Sequence, residues 1–441
     1  MTPNKPTLLA LLAIATVCSG TAFAQTATPP AAPTSDSQAL INVLIKKGVL
    51  TDEEAKDITA EAARTQAAMV VETGNDSFLQ KLTLSGRLQE QYVGLGTTIN
   101  GTAVGPVSTE HFILRRMLVG VSAQFTDGFS GTVVYDLAND SFDKVALEWK
   151  HSALFTLDAG LLKAPFGYEE QLSSGDLKAI ERSALTRYID EPNNGRRIGA
   201  ASYRTGLFAK GSLDGFFYNV AFTNPERNEY SGDSTNTAVL VNGQGGVGST
   251  GNSATNKFAY YGTVGYGGSL GQGLYKTTYK FGYEAGYDNN QGGPGATTGT
   301  GRNIVLSGVF GDVTIGNFNL MAEWEQAQDD RGASATQDAK PNGYWIQPSY
   351  KLTPKWEVVV NYSYVDSEWR GIALSDIIRS APSGGTMNTA SAGYYGLNYY
   401  IKGNDVKLQF GYVHGESNNT LKGAPAKATT DGARSQVQFQ F

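Results

Sequence analysis

Tyr275-Lys276-Thr277-Thr278-Tyr279-Lys280-Phe281-Gly282-Tyr283-Glu284-Ala285-Gly286-Tyr287 is the stretch that decides how this chain folds. Tyr275, Tyr279, Phe281, Tyr283 and Tyr287 share one parity, while Lys276, Thr278, Lys280 and Glu284 share the other. A period of two places the two sets on opposite faces of a strand. The run outlasts most strands of soluble domains and has the length that a tilted strand needs to cross hydrocarbon. A Lys near the bilayer midplane costs about 2–4 kcal/mol, so the aromatic face meets lipid and the charged face meets a wet interior.

The same alternation recurs along the chain. Leu82 to Gln89 places apolar residues at even positions and mainly polar ones at odd positions. Met117, Val119, Val121, Ala123 and Phe125 oppose Arg116, Gly120, Ser122 and Gln124. Further runs are Val145-Leu147-Trp149, Phe155-Leu157-Ala159-Leu161 and Phe216-Tyr218-Val220-Phe222 at every second position. Trp356, Val358, Val360, Tyr362 and Tyr364 oppose Glu357, Asn361 and Ser363. Counted together, they predict an all-β fold, a transmembrane antiparallel β-barrel of about 16 strands over residues 78–441. Short turns such as Thr126-Asp127-Gly128 alternate with long polar stretches at Tyr230 to Asn256, Asn289 to Gly301 and Asp329 to Asn342, as expected of periplasmic and extracellular ends.

Composition supports this reading. The 441 residues hold 53 Gly, 23 Tyr and 19 Phe, and the hydrophobic fraction is 40%. Glycine eases strand curvature and tyrosine seats at the lipid–water interface. Past the N-terminus no apolar stretch is long enough for a membrane-spanning helix, so a membrane location requires a closed barrel. The net charge of −6 gives no support for nucleic-acid binding.

The N-terminus reads as an export signal. Lys5, the apolar run Leu8 to Val17 and Thr21-Ala22-Phe23-Ala24 predict a signal peptide at 1–24, cleaved after Ala24. The one cysteine, Cys18, leaves with it, so neither a disulfide nor a Cys-ligated metal is expected. Residues 25–37 are an Ala/Thr/Pro-rich flexible linker. Residues 38–73 read as a short periplasmic helical segment. Leu40, Val43 and Leu44 stand at helical spacing, Lys46-Lys47-Gly48 ends a first helix, and Thr51-Asp52-Glu53-Glu54 caps a second that runs to about Val70.

Catalytic chemistry has little to stand on. His111, His151 and His414 are widely separated, and no nucleophile elbow, His-Glu-x-x-His helix or Walker loop sits in a supporting context. The expectation is no enzyme, no cofactor and no metal.

Between Asp158 and Arg204 the alternation breaks. Gly160 to Glu170 leaves a strand through Pro165 and two glycines. Leu177 to Ile189 reads as helical or irregular, and Asn193-Asn194-Gly195-Arg196-Arg197 reads as re-entering a strand. Lys163-Ala164-Pro165-Phe166-Gly167-Tyr168-Glu169, followed by Ser173-Ser174 and Glu181-Arg182-Ser183, resembles the phosphate-selective porin O/P family. Leu114-Arg115-Arg116 and Tyr135-Asp136-Leu137-Ala138 also match its pattern. The resemblance implies a 16-stranded, trimeric outer-membrane porin whose third extracellular loop folds inward and narrows the pore.

It also implies a set of pore residues. Lys163, Glu169, Glu170, Glu181, Arg182 and Arg187 are the expected constriction. Arg115, Arg116, Arg196, Arg197 and Arg204 are the expected lumen-facing bases. Glu169, Glu170, Asp176 and Glu181 on the loop, facing arginines on the wall, would set a transverse field.

The function expected is passive diffusion of small hydrophilic solutes and ions across the outer membrane of a Gram-negative-type bacterium. Ion preference stays open between a general, weakly selective pore and one favouring anions such as phosphate. A second class also stays open: a structural barrel that tethers the membrane to the cell wall through its N-terminal helices. Expected partners are outer-membrane lipid and lipopolysaccharide, two further copies of the chain, small solutes or anions, and the barrel-assembly machinery. The last would read the alternating terminus Ser435 to Phe441.

Overall fold

The alternating runs become sixteen antiparallel strands closed on themselves. A computed structural model describes residues 69–72, 77–99, 102–192, 194, 196–225, 258–291, 302–330, 338–420 and 426–441. The expected signal peptide, the linker and the helical segment up to residue 68 lie outside them. A short strand β1 (Met69–Glu72) precedes the barrel. The barrel strands are β2 (Leu79–Ile99), β3 (Thr102–Phe125), β4 (Phe129–Asp136), β5 (Ser141–Lys150), β6 (Thr156–Lys163), β7 (Tyr203–Leu213), β8 (Phe216–Thr223) and β9 (Ala259–Leu270). They continue with β10 (Thr277–Gln291), β11 (Arg302–Ile315), β12 (Phe318–Asp330), β13 (Asn342–Lys351), β14 (Trp356–Asp366), β15 (Thr389–Lys402), β16 (Val406–Asn418) and β17 (Lys427–Gln440).

Each barrel strand pairs with the next, and β17 returns to β2 with Phe439 opposite Leu88 and Ala428 opposite Ile99. Closure satisfies the backbone hydrogen bonds of both would-be edges, which hydrocarbon requires. The seam extends to the last residue. Phe441 N donates to Gly86 O and Gly86 N to Phe441 O, both at 3.1 Å. A Cβ on Gly86 would stand 2.6 Å from the Phe441 ring, so glycine is what admits that ring.

The two faces separate as the alternation requires. On β14, Trp356, Val358, Val360 and Tyr362 are exposed outward, while Glu357, Asn361 and Ser363 are buried inside. On β17, Val437 and Phe439 are exposed outward, as is Phe441 just past its end, and Gln436 and Gln438 point in, buried. No helix among the described residues is long and apolar enough to cross a membrane; the strands do so.

Four boundaries differ from the sequence reading. Met69–Glu72, the end of the expected helical segment, is a strand paired with β2, Val71 opposite Leu82, where β-branched Val70-Val71 favours extended chain. Tyr275 and Lys276 lie in the turn before β10, so the long aromatic run spans a turn and a strand. Asn289 and Asp329 belong to strands rather than to polar loops. The strand after the long interruption begins at Tyr203, not near Arg196. Asn194 Oδ1 accepts from the backbone N–H groups of Arg196 (3.2 Å) and Arg197 (3.0 Å), which turns the chain back on itself there.

A fifth difference places charge. Register shifts between Gln89, opposite Arg116, and Glu90, opposite Leu114, so Arg115 is the extra residue of a β-bulge. Phe112 and Leu114 face out before the bulge, and Met117 and Val119 face out after it. Both neighbouring arginines therefore point inward.

Candidate functional site

The inward loop runs from Ala164 to Ser202 and carries two short helices, α1 (Tyr168–Gln171) and α2 (Ala184–Ile189). Tyr168 docks it on one wall. Its ring stacks on Phe310 at 4.3 Å, and its hydroxyl donates to Asp312 at 2.7 Å. Glu323 on β12 accepts from the backbone N–H groups of Tyr168 and of Glu169 (3.1 Å), and from Trp345 Nε1 (2.6 Å).

The loop then crosses to the seam. There Gln89 donates to Ser174 O (3.0 Å), Gln438 to Gly175 O (3.0 Å), Lys407 to Gly175 O (2.8 Å) and Gln409 to Lys178 O (2.9 Å). The glutamines of the terminal strands thus supply the donors that a crossing backbone needs. Ser183 caps α2, accepting from Thr186 N at 3.3 Å, and every residue of α2 is buried.

A second loop, residues 367–388, also folds inward, with helix α3 (Leu374–Ile377). Sequence reasoning missed it. Ile372 and Met387 exchange backbone hydrogen bonds at 2.7 and 2.9 Å, and Tyr188 of the first loop donates to Gly371 O at 3.1 Å. The two loops brace each other.

Between the first loop and strands β2–β8 lies an open space of about 1010 Å³. Nine basic side chains border it: Arg87, Arg115, Arg116, Lys144, Lys163, Arg182, Arg197, Lys210 and Arg379. Six carboxylates do so: Asp136, Asp143, Asp158, Glu170, Glu191 and Asp405. The chain as a whole is acidic, yet this wall is basic.

Ion pairs order the charges. Arg115 meets Glu181 at 2.8 Å, and Arg379 meets Glu181 at 3.0 Å and Glu191 at 2.9 Å. Arg187 (2.9 Å) and Arg197 (2.8 Å) also reach Glu191. Arg182 pairs with Glu170 at 2.9 Å. Burial alone would raise the two acids, but Arg115 and Arg379 hold Glu181 well below the usual carboxylate range. Arg187, Arg379 and Arg197 do the same for Glu191. Two bases of the wall bond mainly to neutral groups. Arg87 donates to Gln440 (2.9 Å), Ser174 (2.7 Å) and Ser173 (3.0 Å), and Arg116 to Gln89 Oε1 (2.8 Å).

The expected residues divide accordingly. Lys163, Glu170, Arg182, Arg115, Arg116 and Arg197 border the open space, and Glu181 sits behind Arg115. Glu169 turns away from the wall arginines, its carboxylate accepting from Ser183 N (2.8 Å) and Thr186 Oγ1 (2.7 Å). Arg187 is buried against Glu191 and Ser375 O. Arg196 is on the loop rather than the wall and pairs with Asp376 at 2.6 Å. Arg204 is buried, donating to Gly199 O at 2.8 Å. Asp176 accepts from Asn404 at 3.0 Å. The picture of loop acids facing wall arginines across water is therefore replaced by direct pairing, much of it within and between the two loops. Arg87, Arg379, Lys144 and Lys210 were missed; the Arg/Gln alternation Arg87-Gln89-Gln91 was the available signal for the first.

The model of the family described as phosphate-selective porin O and P matches residues 86–441. The chain belongs to that family. No curated protein matches it. Among solved structures, it is similar to an anion-selective porin from Comamonas acidovorans, with 11% identity over 81% of this chain and 99% of that one and a TM-score of 0.53. It is also similar to OmpF of Salmonella typhi in complex with daunomycin, with 13% identity over 84% of this chain and 100% of that one and a TM-score of 0.52. At such identities the likeness is one of fold. Family and fold together make this porin an outer-membrane channel for small solutes.

Proposed function

We propose that this porin passes small solutes with a preference for anions, and that its constriction is built by both inward loops. The observation carrying this is the excess of bases on the wall of the open space, nine against six, in a chain whose net charge is −6. A low-dielectric wall focuses the field of such groups on a narrow aqueous path. Arg87 and Arg116, whose hydrogen bonds go mainly to neutral partners, leave most of their charge to the passing ion. Of the expected constriction residues, Lys163, Glu170, Glu181 and Arg182 keep that role, Arg115, Arg116 and Arg197 line the path, and Arg87 and Arg379 join them. Glu169, Arg187, Arg196 and Arg204 shape the loops instead.

Planar-bilayer reversal potentials in a KCl gradient test the proposal. Chloride preference at 0.1 M that weakens toward 1 M is expected, because the Debye length shrinks from about 10 Å to about 3 Å. Cation preference at low salt overturns it.

The same reading makes the chain a homotrimer, exported by its signal peptide and seated among outer-membrane lipids after its terminal strand is recognised at Phe441. Strands β4, β6 and β8 have eight residues each, short of the ~9–11 that hydrocarbon needs. Their outward face, with Val133 and Val220 exposed, suits contact with another copy better than contact with lipid. Mass measurement in detergent giving three chains supports this; a lone chain sinks it.

A further inference from the structure

Behind the first loop, away from the basic path, stands a group of acids that the pore does not use. Glu284 on β10 and Glu323 and Glu325 on β12 are each 3% exposed or less. One carboxylate oxygen from each lies within 4.8 Å of the others. A fourth acid comes from the loop: Asp190, immediately after α2, is fully buried, and its Oδ2 seats against Gly167, whose neighbour Tyr168 donates its backbone N–H to Glu323.

Five oxygens of this group find no hydrogen-bond donor: both of Asp190, both of Glu325 and Oε1 of Glu284. Among the described residues no Lys or Arg forms an ion pair with any of the four. Glu323 differs, since three N–H groups satisfy it. Buried charge without a counter-charge is costly. Protons shared among the four carboxyls are one way to satisfy these oxygens. A hard divalent cation, which takes six to eight oxygen ligands at roughly 2.3–2.6 Å in the case of calcium, is another; it would gather the three glutamate oxygens that already stand within 4.8 Å of one another and supply the missing counter-charge.

The geometry points to a calcium-class cation site formed by Asp190, Glu284, Glu323 and Glu325, which clamps the inward loop to the barrel wall. The site joins three elements distant in sequence, and its loop ligand is the residue that ends α2. Gly167 fits the same purpose. A Cβ there would stand 2.4 Å from Asp190 Oδ2, so glycine lets the loop backbone close over the ligands. The site is independent of whichever ion the pore prefers.

The test uses the full chain in detergent, refolded in EDTA, equilibrated with CaCl₂ at neutral pH, passed through gel filtration and subjected to elemental analysis. About one calcium per chain is expected, together with a higher melting temperature in CaCl₂ than in EDTA. Glu325→Gln and Asp190→Asn should weaken binding by at least about tenfold, since even outer-shell changes cost that much at metal sites, and should abolish the thermal response. Should either fail to fold, Glu284→Gln changes only the wall and gives the same reading. Wild-type chain without calcium above the blank overturns the site in favour of shared protons. Full calcium retention in the folded variants overturns it in favour of binding elsewhere.

Discussion

Arg379 donates to Glu181 at 3.0 Å and to Glu191 at 2.9 Å, so one guanidinium from the second inward loop binds two of the acids that the first loop brings to the path. Arg379→Gln removes one of the nine bases, while Glu181 keeps Arg115 and Glu191 keeps Arg187 and Arg197. The local balance then moves toward negative. A unit charge about 4 Å from an ion in water is worth about 1 kcal/mol, roughly a fivefold change. Anion-over-cation permeability should fall by about that factor, read as a shift in reversal potential at low salt.

The bulge at Arg115 makes a different kind of prediction. Deleting any one residue from a regular stretch of β3 would turn part of its lipid face inward. Deleting Arg115 instead removes the extra residue and leaves Gln89 opposite Arg116 and Glu90 opposite Leu114. That deletion variant should still form a heat-modifiable barrel on SDS gels, with weaker anion preference. Deleting Val119, by contrast, should sharply lower the folded yield.

These two residues also mark how far the sequence could be read. Strand faces were legible because lipid and water sort side chains with period two, and β14 follows that alternation from Trp356 to Tyr362. The first loop was legible because Pro165 and Gly167 end the alternation. Pairing was not, since Arg196 on one loop finds Asp376 on another through a fold that neither segment encodes alone. The second loop escaped notice because Leu374 to Ile377 is only one helical turn, too short to imprint a helical period. Glu284, Glu323 and Glu325 each occupy an inward strand position, with nothing in the local alternation to set them apart. Only barrel closure brings β10 and β12 beside Asp190.

Acid should act on the pore through Glu181. Burial would raise this carboxyl, yet Arg115 and Arg379 depress it well below its ordinary value. A depressed acid stabilises the fold fully above its unfolded value, about 4.3, and that contribution is lost as pH falls through the folded value. The stability gap between wild type and Glu181→Gln should therefore be widest near neutral pH and close below about pH 4. Protonation also uncovers two arginines. Anion preference of the wild type should rise on acidification, whereas Glu181→Gln should show the higher preference already at neutral pH. Melting curves and reversal potentials across that range check both. A constant gap across the range counts against the pairing.

Gly167 and Gly385 separate strain from collision. Both adopt positive φ, 78° and 89°, where a side chain costs about 1 kcal/mol or more. A Cβ at Gly385 meets nothing within 4 Å, but at Gly167 it meets Asp190 Oδ2 at 2.4 Å and Cγ at 2.8 Å. Gly385→Ala should thus lower stability by about 1 kcal/mol and leave conductance unchanged. Gly167→Ala adds the displacement of Asp190 and of the α1 N-terminus that Glu323 holds. It should lower the melting temperature more and loosen the first loop, giving larger and noisier single-channel currents. Equal effects from the two alanines would show that backbone conformation, and not the seat of Asp190 beneath the loop, is what fixes the constriction.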